Sequence, residues 1–158
     1  MLAATLCVSQ VATIREPQNI KLDDLSCSAV PDALVLLNPI TDLSAKWGKH
    51  LGEKAMALSP LHHISGRTPP TLLIHGNSDQ CVSLEDSLAF CKRMTELGRP
   101  SKLIVLEGAG HAFGVFKYGP DRFVPETIVA IDDFLVSRDW LTDRRSANTV
   151  LLENDFPE

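Results

Sequence analysis

The most informative part of this sequence is Pro70-Thr71-Leu72-Leu73-Ile74-His75, which is followed at once by Gly76-Asn77-Ser78-Asp79. A second stretch has the same design, since Ser101-Lys102-Leu103-Ile104-Val105-Leu106-Glu107 leads into Gly108-Ala109-Gly110-His111. Each is a short apolar run that stops at glycine and turn-forming residues. This pattern is typical of a buried strand that ends in a loop.

A third apolar run predicts another strand. Ala33-Leu34-Val35-Leu36-Leu37 is continuous and stops at Asn38-Pro39, which suits a strand buried on both faces of a parallel sheet. The segment that follows, residues 41–66, contains three glycines and one proline and is expected to hold only a short helix near residues 53–58.

Amphipathic helical segments follow the second and third strands. Ser83 is suited to cap the first of these helices, and Gly98 and Pro100 are suited to end it. Its apolar stripe is expected at Leu84, Leu88, Cys91 and Thr95, with Phe90 and Met94 flanking it. The last helix is expected to begin near Pro125, with its stripe at Val124, Ile128, Ile131 and Leu135.

Strands that alternate with helices predict an α/β fold with about three parallel strands and helices on both faces. The fold is expected to cover residues 1–141, beginning with a helix over residues 1–11, and residues 142–158 are expected to form a tail. In open α/β sheets, sites lie beyond the carboxyl ends of the strands. Asp79 and His111 both follow such ends, so their side chains are expected to meet.

The composition of the chain argues against some classes of binding partner. The chain has 158 residues, a net charge of −5 at pH 7 and no basic stripe, which argues against nucleic acid or an anionic membrane as partner. No apolar run reaches the ~20 residues of a membrane span. The apolar start, Met1 to Val8, has no positive residue before it and is expected to be helical rather than a signal peptide.

Residue types that commonly bind metals or cofactors are present, but not at the spacing of a known binding motif. The four cysteines form no Cys-x-x-Cys pair, although a Cys81–Cys91 disulfide remains open. His62 and His63 are adjacent, so on an extended chain they point in opposite directions. The loop 108–110 lacks the third glycine of a phosphate-binding motif. The sequence therefore predicts no metal and no organic cofactor.

A carboxylate and an imidazole in neighbouring loops are two members of a Ser-His-Asp triad. The carboxylate holds the ring in one tautomer, so that the other ring nitrogen can act as base. Asp79 is thus predicted as the acid and His111 as the base. His75 is expected to make a structural hydrogen bond, and Ser78 to be a turn residue. No Gly-x-Ser-x-Gly occurs in the 158 residues, so these residues show no nucleophile.

The two loops resemble those of a known superfamily. Residues 71–82 resemble the His-Gly-x-x-Asp-x-x-Val signature of α/β-hydrolases, and residues 107–114 resemble the Gly-x-Gly-His-x-Phe loop that carries their histidine. The chain is most similar to the acetyl esterase/lipase group of carboxylesterases. The resemblance implies a partial α/β-hydrolase sheet and a serine ester hydrolase that acts on small-molecule esters, with Asp79 and His111 in its triad.

In that group, a helix similar to residues 1–6 directly follows the Gly-x-Ser-x-Gly-Gly turn that carries the nucleophile. The chain is therefore expected to be the C-terminal half of a hydrolase, inactive alone because the serine is absent. Two alternatives stay open. The first is a fragment of a prolyl-oligopeptidase-type serine peptidase, whose motifs are similar. The second is a non-catalytic remnant or interaction module that self-associates through the exposed edge of the 33–37 strand.

Overall fold

The computed structural model describes residues 30–44, 48–114 and 123–142. In this part of the chain, three parallel strands form one sheet. The strands, in the order of both chain and sheet, are β1 (Leu34–Leu37), β2 (Thr71–Gly76) and β3 (Ser101–Leu106). The prediction of about three parallel strands is confirmed.

The helices lie between and after these strands. Between β1 and β2 are α1 (Gly48–Leu51), α2 (Lys54–Leu58) and a 3₁₀ turn at Pro60–His63. The long helices are α3 (Leu84–Glu96), which joins β2 to β3, and α4 (Phe123–Val136), which follows β3. The predicted helix near residues 53–58 is confirmed as α2, whereas α1 and the 3₁₀ turn were not predicted. Among the described residues, no helix has the length and apolarity that crossing a membrane requires.

The sheet has a hydrophobic core on each face. Leu72 and Ile74 of β2 contribute to the core that contains Phe123 and Phe134 of α4. Leu73 points to the opposite face, because successive side chains of a strand alternate, and it joins Phe90 of α3 in the other core. All six residues of β2 are buried. The predicted covering of both faces by helices is confirmed, and β2 is the central strand of the described sheet.

The prediction that the first strand is buried on both faces is wrong for β1. Leu34 is buried, but Val35 is 37% exposed and Leu37 is 44% exposed. The reason is position, because β1 is an edge strand of the sheet that the described residues form. An apolar run indicates a strand but does not indicate whether that strand is central or at the edge of the sheet. The exposed edge agrees with what the hydrolase resemblance implied.

The predicted apolar stripes of the two long helices are confirmed only in part, because Cys91 of α3 and Ile131 and Leu135 of α4 pack half-buried against the two cores. In α3 the buried residues are Ser87, Phe90 and Met94, whereas Leu88 is 43% exposed. In α4 the buried residues are Phe123, Thr127, Ala130, Asp132 and Phe134. Each helix buries a hydroxyl side chain that forms a hydrogen bond, Ser87 with His75 and Thr127 with the Phe123 carbonyl. A stripe drawn through apolar residues alone misses such positions.

The ends of α3 agree with the sequence. The Ser83 hydroxyl accepts a hydrogen bond from the backbone amide of Glu85, and Gly98 has the positive φ of +63° that ends many helices. Cys81 and Cys91 are both unbridged, so the disulfide alternative is excluded. The helix expected over residues 1–11 and nearly all of the expected tail lie outside the described residues.

Candidate active site

The loops after β2 and β3 are joined to each other through their backbones. The amide of Ser78 donates to the carbonyl of Ala109 at 3.0 Å, and the amide of Asn77 donates to the carbonyl of Leu106 at 3.2 Å. The Asn77 side chain accepts a further hydrogen bond from the amide of Gly108 at 2.8 Å. The loops therefore form one connected surface at the carboxyl end of the sheet.

Asp79 is held rigidly within this surface. Its side chain is 0% exposed. One carboxylate oxygen, Oδ1, accepts hydrogen bonds from the backbone amides of Cys81 and Val82 at 2.7 and 2.9 Å. The other oxygen, Oδ2, lies 2.8 Å from Nδ1 of His111. Burial raises the pKa of Asp79, but the hydrogen bonds from Val82, His111 and Cys81 outweigh it and hold the pKa below its usual value.

His111 presents one ring nitrogen to this carboxylate. The side chain is 46% exposed, so the ring stands at the surface while the carboxylate lies beneath it. Because Nδ1 bonds the carboxylate, Nε2 is the nitrogen that can exchange protons with a reacting group. The structure thus brings together the two residues that the sequence singled out. Their arrangement is that of an acid that orients a base.

Asn38 is a residue of this site that the sequence reasoning missed. It is buried, and its Nδ2 donates to the carbonyls of Gly110 and His111 at 3.2 and 2.7 Å. Its Oδ1 accepts from the amide of Gly76 at 2.9 Å. The Asn38 side chain, at the end of β1, therefore holds the end of β2 and the loop that carries His111 together. The sequence feature that could have identified Asn38 is its position directly after an apolar strand. A side-chain amide buried at such a position can form hydrogen bonds with several backbone groups.

His75 is buried and lies next to the Asp79 carboxylate. Its ring is 0% exposed; Nδ1 lies 2.7 Å from the Ser87 hydroxyl, and Nε2 lies 3.2 Å from the carbonyl of Val82. A carbonyl oxygen only accepts, so Nε2 carries hydrogen. The same Nε2 lies 3.6 Å from Oδ2 of Asp79. The hydrogen bonds that the sequence predicted for His75 are present, and they hold a polar ring beside the buried carboxylate.

The other candidates lie apart from this pair or make only turn contacts. Ser78 is an exposed turn residue beside Asp79. Nε2 of His62 lies 3.8 Å from the Asp42 carboxylate, and Nε2 of His63 donates to the carbonyl of Ala57 at 2.7 Å. Within the described part of the chain, neither histidine belongs to a group of side chains spaced to bind a metal.

A groove adjoins the imidazole of His111. Its volume is about 330 Å³, and it is lined by Val35, Leu36, Leu37, Asn38, Pro39, Ile40 and His111. The groove therefore runs along the outer, partly exposed side of β1 to His111. Apolar walls with a polar group at one end suit an uncharged organic substrate or a further chain segment.

The buried carboxylate predicts acid sensitivity. The pKa of Asp79 in the folded chain lies below the value of about 3.9 for an unfolded chain, so its stabilising effect is complete above about pH 4. The effect is lost as the pH falls through the folded-state pKa. Urea unfolding measured from pH 7 to pH 2 should therefore show a steeper loss of stability in the parent than in Asp79→Asn.

The control for this measurement is Asp32→Asn, because Asp32 is exposed. This variant should lose stability with falling pH as steeply as the parent. An Asp79→Asn profile parallel to the parent's would contradict the expected role of the Asp79 carboxylate.

The parallel sheet, its helices on both faces and the Asp–His pair beyond the strand ends define the chain as an α/β-hydrolase. Residues 35–137, more than half of the chain, match the prolyl oligopeptidase family. The chain therefore belongs to that family.

Solved structures similar to this chain include esterases. The chain is 30% identical to Thermogutta terrifontis esterase 2 phosphoramylated by tabun, with a TM-score of 0.72 over 90% of this chain and 52% of that one. It is also 30% identical to the propionate-bound esterase, Est2, of the same species, with a TM-score of 0.69 over 80% of this chain and 50% of the other. The chain thus spans about half the length of these esterases.

Two curated proteins match shorter stretches. The chain is 37% identical over 51 residues to a probable isoprenylcysteine alpha-carbonyl methylesterase, ICMEL1, of Arabidopsis thaliana, which is 32% of this chain and 11% of that protein. It is 36% identical over 69 residues to methylphloroacetophenone synthase of Cladonia uncialis, which is 42% of this chain and 3% of that protein.

Proposed function

We propose that Asp79 and His111 are the acid and base of the catalytic triad of a serine ester hydrolase. The observation that carries this proposal is the 2.8 Å contact between Asp79 Oδ2 and His111 Nδ1 at the ends of adjacent parallel strands. The carboxylate is buried and already bonded to two backbone amides, so it holds the ring in one orientation.

In this mechanism, a serine hydroxyl attacks the ester carbonyl while His111 Nε2 accepts the hydroxyl proton. The same nitrogen then gives the proton to the departing alcohol, which leaves an acyl-serine. Water then attacks the acyl-serine while His111 Nε2 accepts its proton. As the bond between the acyl carbon and the serine oxygen breaks, His111 returns that proton to the serine oxygen and the carboxylic acid is released. Asp79 remains ionised and stabilises the imidazolium in both steps.

We propose that the serine comes from residues outside these 158, and that the chain alone does not turn over esters. No Gly-x-Ser-x-Gly occurs in the chain. The groove that ends at His111 runs along the exposed side of β1, where a further strand carrying the nucleophile would lie next to the base. Members of a triad act as a unit, so the acid and base without the serine retain little of its activity.

The substrate proposed is a small-molecule ester, which the similarity to esterases supports. The name of the prolyl oligopeptidase family favours a second candidate, a serine peptidase. The same acid and base serve both reactions. Hydrolysis of p-nitrophenyl acetate compared with that of a prolyl p-nitroanilide distinguishes the two candidates.

The test begins with the transcript upstream of the Met1 codon. We expect an in-frame Gly-x-Ser-x-Gly, and the longer protein made from that frame should react with a fluorophosphonate probe. The choice of probe rests on the similar esterase, which is phosphorylated by paraoxon. The 158-residue chain should stay unlabelled, and Ser78→Ala in the longer protein should keep its labelling, because Ser78 is only a turn residue.

Two results would contradict the proposal. An in-frame stop codon directly upstream, together with a defined homodimer of the 158-residue chain by light scattering, would favour an interaction module that pairs through β1. Labelling of the 158-residue chain itself would mean that a nucleophile lies within it.

A further inference from the structure

The side chain of Asn38 joins the end of β1 to both loops of the candidate active site. It is 5% exposed, and its Nδ2 donates to the carbonyls of His111 and Gly110 at 2.7 and 3.2 Å. We propose that Asn38 is a positioning residue for the hydrolysis, which fixes the backbone of His111 and thereby keeps its ring against Asp79. This inference rests on the proposed function of His111 as the base.

The bonding pattern of the amide fits this role. Nδ2 has two hydrogens to donate, and two carbonyl oxygens accept them, while Oδ1 accepts from the backbone amide of Gly76 at 2.9 Å. Gly76 ends the strand that leads to Asp79, and the two carbonyls belong to the loop after the next strand. A single side chain therefore sets the distance between the backbone that carries the acid and the backbone that carries the base.

The exposure of His111 makes such a constraint important. Its ring is 46% exposed, so packing contributes little to its position, whereas the Asp79 carboxylate is buried and fixed by two backbone amides. A displacement of about 1 Å in a reacting group can lower a rate about 100-fold. Hydrogen bonds to the backbone of the histidine therefore matter for the rate as well as for stability.

The backbone of Asn38 provides a second, independent observation. Its φ is +42°, in the left-handed region that favours glycine, and a residue in that region carries strain unless it is glycine. Such strain occurs frequently at functional sites, where surrounding contacts maintain it. Glycine would satisfy this backbone with less strain, but it would supply no amide. The backbone conformation alone therefore does not account for the asparagine.

Two substitutions separate the amide from the backbone conformation. Asn38→Gly removes the amide and tolerates the positive φ, whereas Asn38→Ala removes the amide and adds strain. A positioning role predicts similar losses of kcat in the two variants, together with a lower free energy of unfolding in Asn38→Ala than in Asn38→Gly. A role in stability alone predicts no loss of kcat in the folded molecules of either variant.

The first measurement is hydrolysis of p-nitrophenyl acetate by the longer, serine-bearing protein. We expect kcat to fall about 10- to 100-fold in both Asn38 variants, with KM changed less than about 3-fold. The matched control is Thr127→Val, which removes another buried side chain that forms a hydrogen bond, from its hydroxyl to the Phe123 carbonyl on α4. This control should lose stability but keep kcat within about 2-fold of the parent.

The second measurement uses the 158-residue chain and needs no serine. The downfield Nδ1 proton signal of His111 in NMR reports its hydrogen bond to Asp79. Under conditions in which every variant is folded, the signal should be present in the parent and in Thr127→Val, and it should be lost in Asn38→Gly.

Three results would overturn the inference. They are a kcat in Asn38→Gly within about 3-fold of the parent, an unchanged His111 signal in that variant, and a loss of kcat in Thr127→Val as large as that in Asn38→Gly. Failure of the proposed function is a different result, namely retained activity in His111→Ala, and it would overturn both proposals. If His111→Ala is inactive but Asn38→Gly keeps its activity, only the role of Asn38 is contradicted.

Discussion

Replacing His111 by Ala is expected to lower kcat/KM for p-nitrophenyl acetate at least about 10⁴-fold in the longer, serine-bearing protein. The loss is large because Nε2 is the proposed proton acceptor in acylation and donor to the leaving alcohol. Removing the ring also leaves Oδ2 of the buried Asp79 carboxylate without its 2.8 Å hydrogen bond, so we expect the free energy of unfolding to fall by about 1 to 3 kcal/mol. Steady-state kinetics and urea unfolding of the same samples separate the two effects.

The matched control is His62→Ala. This imidazole is also partly exposed and also lies near a carboxylate, with Nε2 at 3.8 Å from Asp42 Oδ1, but it lies apart from the Asp79–His111 pair. Its removal should leave kcat/KM within about 2-fold of the parent. A loss of less than 10-fold in His111→Ala would show that His111 is not the base and would remove the main support for the proposed function.

Replacing Gly76 by Ala should destabilise the chain by about 3 kcal/mol, because the new methyl group has no space. A Cβ at this position would overlap the carbonyl oxygen of Ala109 and lie 2.8 Å from the Cβ of Ala109. Gly76 also donates its amide to Asn38, so the strand end is held against the histidine loop and cannot easily retreat. Urea unfolding measures the loss.

The substitution should also separate the acid from the base. Ala109 lies two residues before His111, so a shift of this loop breaks the 2.8 Å contact with Asp79. Loss of the downfield Nδ1 proton signal of His111 in NMR would report that separation. Gly66→Ala is the control, because a Cβ at that position meets nothing within 4 Å. If the free energies of unfolding of Gly76→Ala and Gly66→Ala differ by less than about 0.5 kcal/mol, the close approach of the two loops does not stabilise the fold.

The sequence determined much of the fold and singled out the Asp–His pair. Apolar runs that end in glycine and turn residues identified β2 and β3, because strand burial and turn formation are local properties of the chain. The alternation of strands and helices then implied parallel pairing. Asp79 and His111 could be singled out because parallel strands carry their following loops to the same edge of the sheet.

The contacts that join distant segments follow only from the packing of the folded chain. The buried roles of Asn38 and Ser87 and the approach of Cys81 to His111 carry no periodic signal. They follow from the register in which Gly76 pairs with Leu106, and from hydrogen bonds that make a polar side chain stable inside the protein. Local pattern specifies which residues form an element, whereas packing of elements against each other specifies which side chains meet.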